Sequence, residues 1–192
     1  YEVDSLAKDT IFEDVENNID NGLWLEGANF HEGKHQYGLA VGVTNPTKIR
    51  RTLESTNPTL ICIDVAHGHH KLVKDTISYI KGINEDIHVM AGRICTGEAA
   101  EDLLSWGADS LRVGIGNGSM CETRIRAGVG VPQVNAIIDC AIAINHEIPI
   151  IADGGIRTTG DVAKALAIGA DAVMIGSLFA GTKESPGHIQ KM

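Results

Sequence analysis

The sequence predicts an α/β chain of the (β/α)8 or TIM barrel class, with six of the eight strands recognisable. Three observations lead there. Short apolar runs rich in β-branched residues alternate with helical stretches along nearly the whole chain. Repeated strand-helix units make a parallel sheet with right-handed crossovers. Ser105-Trp-Gly-Ala-Asp-Ser110 and Ala167-Ile-Gly-Ala-Asp-Ala172 repeat one unit, with Gly where a helix stops and Ala-Asp where a strand begins. Finally, polar or glycine-rich residues follow five of the strands, on the rim where such barrels carry their chemistry.

The elements follow in order. Tyr37–Val43 reads as a strand and Pro46–Ser55 as a helix. Thr59–Val65 is the next strand, then a helix over His69–Lys81. Ile87–Ala91 leads into a helix over Gly97–Trp106, and Asp109–Val113 into a glycine loop and a helix over Pro132–Asn145. Pro149–Ala152, a helix over Thr159–Ile168 and the strand Ala172–Ile175 complete the series. The strands are continuously apolar, as strands covered on both faces should be. Residues 1–36 read as an N-terminal helix (Thr10–Asn21) with an irregular polar stretch, 37–187 as the barrel core, and 188–192 as a C-terminal stub. Two strands are thus missing from a closed barrel.

Composition narrows the function. Apolar residues make up 43% of 192, enough for a substantial core. A net charge of -9 argues against nucleic acid as a partner, so an anionic ligand needs local donors. No apolar run reaches spanning length, and the start lacks the pattern of a signal peptide, which argues against a membrane. Cys62, Cys95, Cys121 and Cys140 form no C-x-x-C pair and no zinc-type cluster, which fits a reducing cytoplasm. Cys62 and Cys95 in strands and Cys140 in a helix read as small core residues.

The fourth cysteine is different. Gly114-Ile-Gly-Asn-Gly-Ser-Met-Cys121 follows a buried strand, and its glycines let backbone approach a ligand without a Cβ. A phosphate-gripping turn ending in a thiol suggests a nucleotide held beside a nucleophile. The same stretch also reads as a glycine-rich turn with a buried cysteine. Around it, Asp64 with Ala66-His-Gly-His-His70, Gly92-Arg93, Asp153-Gly154-Gly155 and Gly176-Ser177 end other strands. Gly154-Gly155 and Gly176-Ser177, with Ser119, would make a three-sided phosphate cradle. Asp153 would accept from ribose hydroxyls or cap the following turn. Arg124, Arg126 and Arg157 would lower the pKa of Cys121 or serve as surface charges, Arg126 the more so. The His67/His69/His70 run is too crowded for all three to share a metal, and a solvated or ligand-contacting loop suits it better.

With these residues in hand, the chain resembles the IMP dehydrogenase and GMP reductase family from about Gly38 to Gly187. The resemblance is carried by Gly114-Ile-Gly-Asn-Gly-Ser-Met-Cys-Glu-Thr-Arg124, Ala127-Gly-Val-Gly-Val-Pro-Gln133, Ile151-Ala-Asp-Gly-Gly-Ile-Arg157, Gly176-Ser-Leu-Phe-Ala-Gly181 and Glu184-Ser-Pro-Gly187. It implies a barrel assembled as a homotetramer. Cys121 would attack C2 of the purine nucleotide, with Thr123 beside the reacting centre. Ser119, Gly155, Gly176 and Ser177 would hold the phosphate and Asp153 the ribose, while Asp64 and Gly114 would contact NAD. The carbonyls of Gly116, Gly118 and Cys121 would bind potassium.

Two activities share this pattern. Gly128–Gln133 and Ala180–Gly187 look more like the dehydrogenases, which turn IMP, NAD and water into XMP and NADH. Met90-Ala-Gly and Thr96-Gly-Glu98 look more like the reductases, which turn GMP and NADPH into IMP and ammonia with a Thr and Glu pair, here matched by Thr123 and Glu184. The dehydrogenase is the preferred reading. A catalytically silent nucleotide-binding or assembly fragment is the reading outside the enzymes. Arg93 stands where the family has Asn, Asn117 where it has Pro or Ser, and Glu122 where it has Thr or Ile. If Glu122 pointed inward it would raise the pKa of Cys121. The family's first two strands have no match here, and the chain stops where a flap and a phosphate-binding Tyr would follow.

Overall fold

The computed structural model describes residues 38–56 and 58–182. The expected helix over 10–21, Glu184 and the C-terminal stub lie outside the described residues. Six strands form one sheet: β1 (Gly38–Val41), β2 (Leu60–Ile63), β3 (His88–Ile94), β4 (Ser110–Val113), β5 (Ile150–Asp153) and β6 (Ala172–Met174). Each pairs in parallel with the next, in chain order. An order without reversal makes a curled barrel wall, unlike a doubly wound sheet, whose order turns back at a switch point.

Helices α1 (Pro46–Thr56), α2 (Lys71–Ile83), α3 (Gly97–Ser105), α5 (Gln133–Ala143) and α6 (Thr159–Ala167) make the crossovers, with a short α4 (Thr123–Ala127) after the glycine loop. That short helix escapes the sequence pattern because it buries no residue and so carries no apolar period. The other boundaries differ by a residue or two, except in β3, which runs on to Ile94.

The repeated Gly-Ala-Asp unit now has a physical cause. Gly107 and Gly169 take positive φ and end α3 and α6. The Asp that follows reaches sideways: Asp109 accepts from the Val89 N–H at 2.7 Å and Asp171 from the Ile150 N–H at 2.8 Å. Each Asp N–H returns a bond to the same neighbour's carbonyl. One short motif therefore stops a helix and pins the next strand in register.

The two faces of the sheet are unequal. Ile61, Ile63, Val89, Ala91, Leu111, Val113, Ile150 and Ala152 are fully buried against the helix residues Val73, Ile77, Ile80, Leu103, Ile137 and Cys140. On the other face Leu60, Cys62, His88 and Met90 are half-buried, and the edge strands β1 and β6 are more exposed still. The expectation of strands covered on both faces holds for β4 and for Ile150–Ala152 of β5; in the other strands helices seal the outside while the inner face is covered only in part and carries polar groups. His88 Nε2 meets Ser110 Oγ at 2.8 Å there, and Arg112 lies above them on β4.

Stability should follow this asymmetry. Leu103→Ala, at a fully buried helix-sheet contact, is expected to cost about 3 kcal/mol. Gly92→Ala would set a Cβ 2.2 Å from the Arg112 carbonyl and should cost about 2 kcal/mol or more. Gly82→Ala, in α2 with open space around it, should stabilise by about 0.5 kcal/mol. Urea denaturation of the three variants checks the ranking.

Candidate active site

The turn after β4 is built by close backbone approach. Gly114 has φ 141°, and a Cβ there would sit 2.3 Å from the Asp153 carbonyl oxygen, so only glycine lets the turn lie against the tip of β5. Asn117 Nδ2 then donates to that same carbonyl at 2.8 Å, and Gly154 and Gly155 pack on Asn117. Gly154 N–H bonds the Met174 carbonyl at 3.3 Å, which joins the tips of β5 and β6. Gln133 Nε2 donates to the Val113 carbonyl at 2.8 Å and ties α5 to the end of β4.

Cys121 closes the turn, its N–H donating to the Gly118 carbonyl at 3.1 Å. Its side chain is half-buried, and Sγ lies 3.2 Å from Thr123 Oγ1. Hydrogen bonds from the Thr123 hydroxyl and N–H hold the thiol below its usual range, assisted by the charge of Arg93 and a Gly116 backbone bond; partial burial opposes them. The buried-cysteine reading of this loop is therefore set aside. It suits Cys140 instead, fully buried in α5, whose pKa is pushed up to about 12 by burial, with the Asp139 charge adding.

The arginines are redistributed relative to the sequence reading. Arg124 is a clamp: Nε donates to the Ile115 carbonyl at 3.0 Å and Nη2 to the Val131 carbonyl at 2.6 Å. Arg126 pairs with Glu122 at 2.7 Å on the exposed side, so Glu122 is turned away from the sulfur. Arg157 is exposed and does not figure among the influences on Cys121. Arg93 does. It sits in a β-bulge between Gly92 and Ile94 with φ 56°, a conformation costly for a long side chain. Its Nε is buried and has no hydrogen-bond partner among the described residues.

Arg112 is the residue the sequence reading missed, hidden inside an apolar run. It contacts Asp64 at 2.9 Å and Asp153 at 2.9 Å. Neither aspartate caps a helix, since His70 caps α2 and Thr158 with Asp161 forms the capping box of α6. Cys62 is a partner of the same arginine rather than a plain core residue; its Sγ accepts from Nη1 at 3.0 Å. Cys95 lies one residue past β3, half-buried, not within the strand.

The other expected site residues fall on the same rim. Ser119, Gly155, Gly176 and Ser177 are all exposed around the ends of β4, β5 and β6. The histidines have local work: His69 Nε2 meets Asp102 at 2.7 Å, His70 Nδ1 accepts from the Leu72 N–H, and His67 Nδ1 accepts from the His69 N–H. Among the described residues no cluster of His, Cys, Asp or Glu is placed to hold a metal ion.

A lowered pKa means more thiolate at neutral pH. Iodoacetamide at pH 7 is accordingly expected to label Cys121 well ahead of Cys140, and Thr123→Val to move the labelling midpoint of Cys121 upward. Peptide mass spectrometry across a pH series reads both.

Known proteins resemble this chain in sequence and fold. The family model for the IMP dehydrogenase / GMP reductase domain matches residues 26–192. Inosine-5'-monophosphate dehydrogenase of Chlorobaculum tepidum is 50% identical over 159 residues, 82% of this chain and 32% of that protein. The same enzyme of Bacillus subtilis is 50% identical over 160 residues, 82% of this chain and 33% of that protein. A crystal structure of GMP reductase from Trypanosoma brucei superposes with a TM-score of 0.77 at 41% identity, covering 83% of this chain and 37% of that one. The chain spans about a third of the length of these relatives. With a family model matching residues 26–192 and relatives 50% identical over 82% of it, the chain belongs to the IMP dehydrogenase / GMP reductase family.

Proposed function

We propose that the chain is the catalytic portion of an IMP dehydrogenase, converting IMP, NAD and water to XMP and NADH. The observation that carries this reading is the activated Cys121 sulfur, 3.2 Å from Thr123 Oγ1, on a turn packed against Asp153-Gly154-Gly155. The relatives at about half identity carry the dehydrogenase name.

The chain's residues divide the work. Ser119, Gly155, Gly176 and Ser177 hold the phosphate through hydroxyls and bare backbone. Asp153 accepts from the ribose hydroxyls, which orients the purine. The Cys121 thiolate adds to C2, a hydride leaves that carbon, and a thioimidate remains. Water then adds at C2, its proton leaves, and the sulfur departs as XMP forms. NAD, when bound, takes up the hydride. Asp64 suits the cofactor's ribose: its carboxylate is 56% exposed at the rim, with one oxygen on Arg112. Gly114 offers backbone beside it. The carbonyls of Gly116, Gly118 and Cys121 are hard oxygen donors of one turn, the donor type an alkali cation such as potassium takes. The four free cysteines fit a cytoplasmic setting, and exposed Ile125, Ile142 and Phe179 fit burial in a homotetramer.

GMP reductase, with NADPH as reductant, is the second reading. The Thr123 contact to Cys121 and the GMP reductase neighbour favour it.

Full-length protein mixed with IMP and NAD is expected to form NADH, and with GMP and NADPH to leave the absorbance unchanged. Cys121→Ala should lower NADH formation by about a thousandfold or more. Acid-quenched intact mass should show a nucleotide adduct on wild type alone. Oxidation of NADPH with GMP would select the reductase. Silence in both assays with no adduct would select a silent nucleotide-binding fragment.

A further inference from the structure

We propose that Arg112 is a positioning residue: one buried guanidinium holds Asp64 and Asp153 in register across the mouth of the barrel, and so serves the nucleotide and the cofactor sites at once. The proposal rests on the reading just given, in which Asp153 meets the nucleotide's ribose and Asp64 the cofactor.

The geometry is specific. Arg112 rises from β4 on the inner face, its side chain 7% exposed. Nη2 donates to Asp64 Oδ1 at 2.9 Å, and Nη1 to Cys62 Sγ at 3.0 Å. Nε lies 2.9 Å from Asp153 Oδ2, close enough for an ion pair but not aligned for a hydrogen bond. The tips of β2, β4 and β5 thus converge on one planar group. A guanidinium fork suits this, because its donors point in fixed directions; a lysine ammonium offers a single point.

Charge and space support the same role. A buried cation without partners is strongly unfavourable, and here two carboxylates supply them. In turn, two rim carboxylates on a chain of net charge -9 would oppose an incoming phosphate if nothing neutralised them. Gly92, paired with Arg112 across β3 and β4, leaves its place empty; a Cβ there would come within 2.6 Å of Arg112 Cβ. Both aspartates are free of capping duty, because His70 and Thr158 perform it.

The test uses full-length protein carrying Arg112→Met, Arg112→Lys, Asp64→Asn or Asp153→Asn, and the Arg112→Met pairings with each Asn change. Arg112→Met is expected to raise KM for nucleotide and for cofactor, each about ten- to a hundredfold. Asp153→Asn should raise chiefly the nucleotide KM and Asp64→Asn chiefly the cofactor KM. In the double variants the effects should fall short of additive. Arg112→Lys should recover part of both losses, and it carries the kinetic test if Arg112→Met does not fold. Hydrogen exchange on ligand-free protein supplies a readout independent of turnover. Arg112→Met, or Arg112→Lys in its stead, should speed exchange over 62–66 and 152–155 while 73–80 stays unchanged. A rise in one KM alone, full additivity, or unchanged exchange at both tips would overturn the proposal. Wild-type protein inactive with either nucleotide would remove the functional reading, and the exchange data would still decide whether Arg112 ties the tips together.

Discussion

The site depends on one close approach: the backbone of the 114–118 turn lying directly on the tip of β5. Gly114 accepts a φ of 141° so that it clears the Asp153 carbonyl, and Asn117 fastens the turn to that same oxygen. A side chain at 114 would push the turn outward and carry Cys121 away from the Asp153-Gly154-Gly155 tip. Gly116 and Gly130 make a second tight layer, giving the Arg124 stem room to cross and clamp the loop from outside. The loop is thus held by three kinds of contact: bare backbone, an amide hydrogen bond and a half-buried arginine stem. Such redundancy keeps a turn in place without an apolar core of its own.

Electrostatics follow from that arrangement. The chain as a whole is acidic, yet its rim gathers cations where they matter. Arg112 neutralises the two aspartates, while Arg93 and the Thr123 hydrogen bonds favour the thiolate of Cys121. Cys62, on β2, is driven the opposite way because burial outweighs the help of Arg112. Two thiols of one barrel face therefore differ in reactivity through their surroundings alone.

Backbone strain reaches the same region. Arg93 occupies the left-handed region inside a β-bulge, and its carbonyl accepts the Gly68 N–H at 3.0 Å. A Cβ on Gly68 would collide with the Gly92 carbonyl, so the 66–70 loop can settle over β3 only as glycine. Backbone departures of this kind cost energy and persist where the surroundings over-determine them. Arg93 places one such departure near the sulfur, while Asn145 and His146 carry two more just past the end of α5.

What the sequence determined was local. Continuous apolar runs such as Leu60–Ile63 and Ile150–Ala152, the Gly-Ala-Asp stops at 107–109 and 169–171, and the glycine turn ending at Cys121 announce themselves within a few residues. Their physics is equally short-ranged: propensity, helix stops and the backbone freedom of glycine. Tertiary structure decided the rest. Arg112 sits inside an apolar run with nothing nearby in sequence to reveal that its partners lie 48 and 41 residues away. Arg93 took the effect on Cys121 expected of Arg124 for a related reason, since a one-residue bulge turns a side chain to another face and no periodicity records it. Register between distant strands sets which charges meet, and that register exists only once the strands have paired into one sheet.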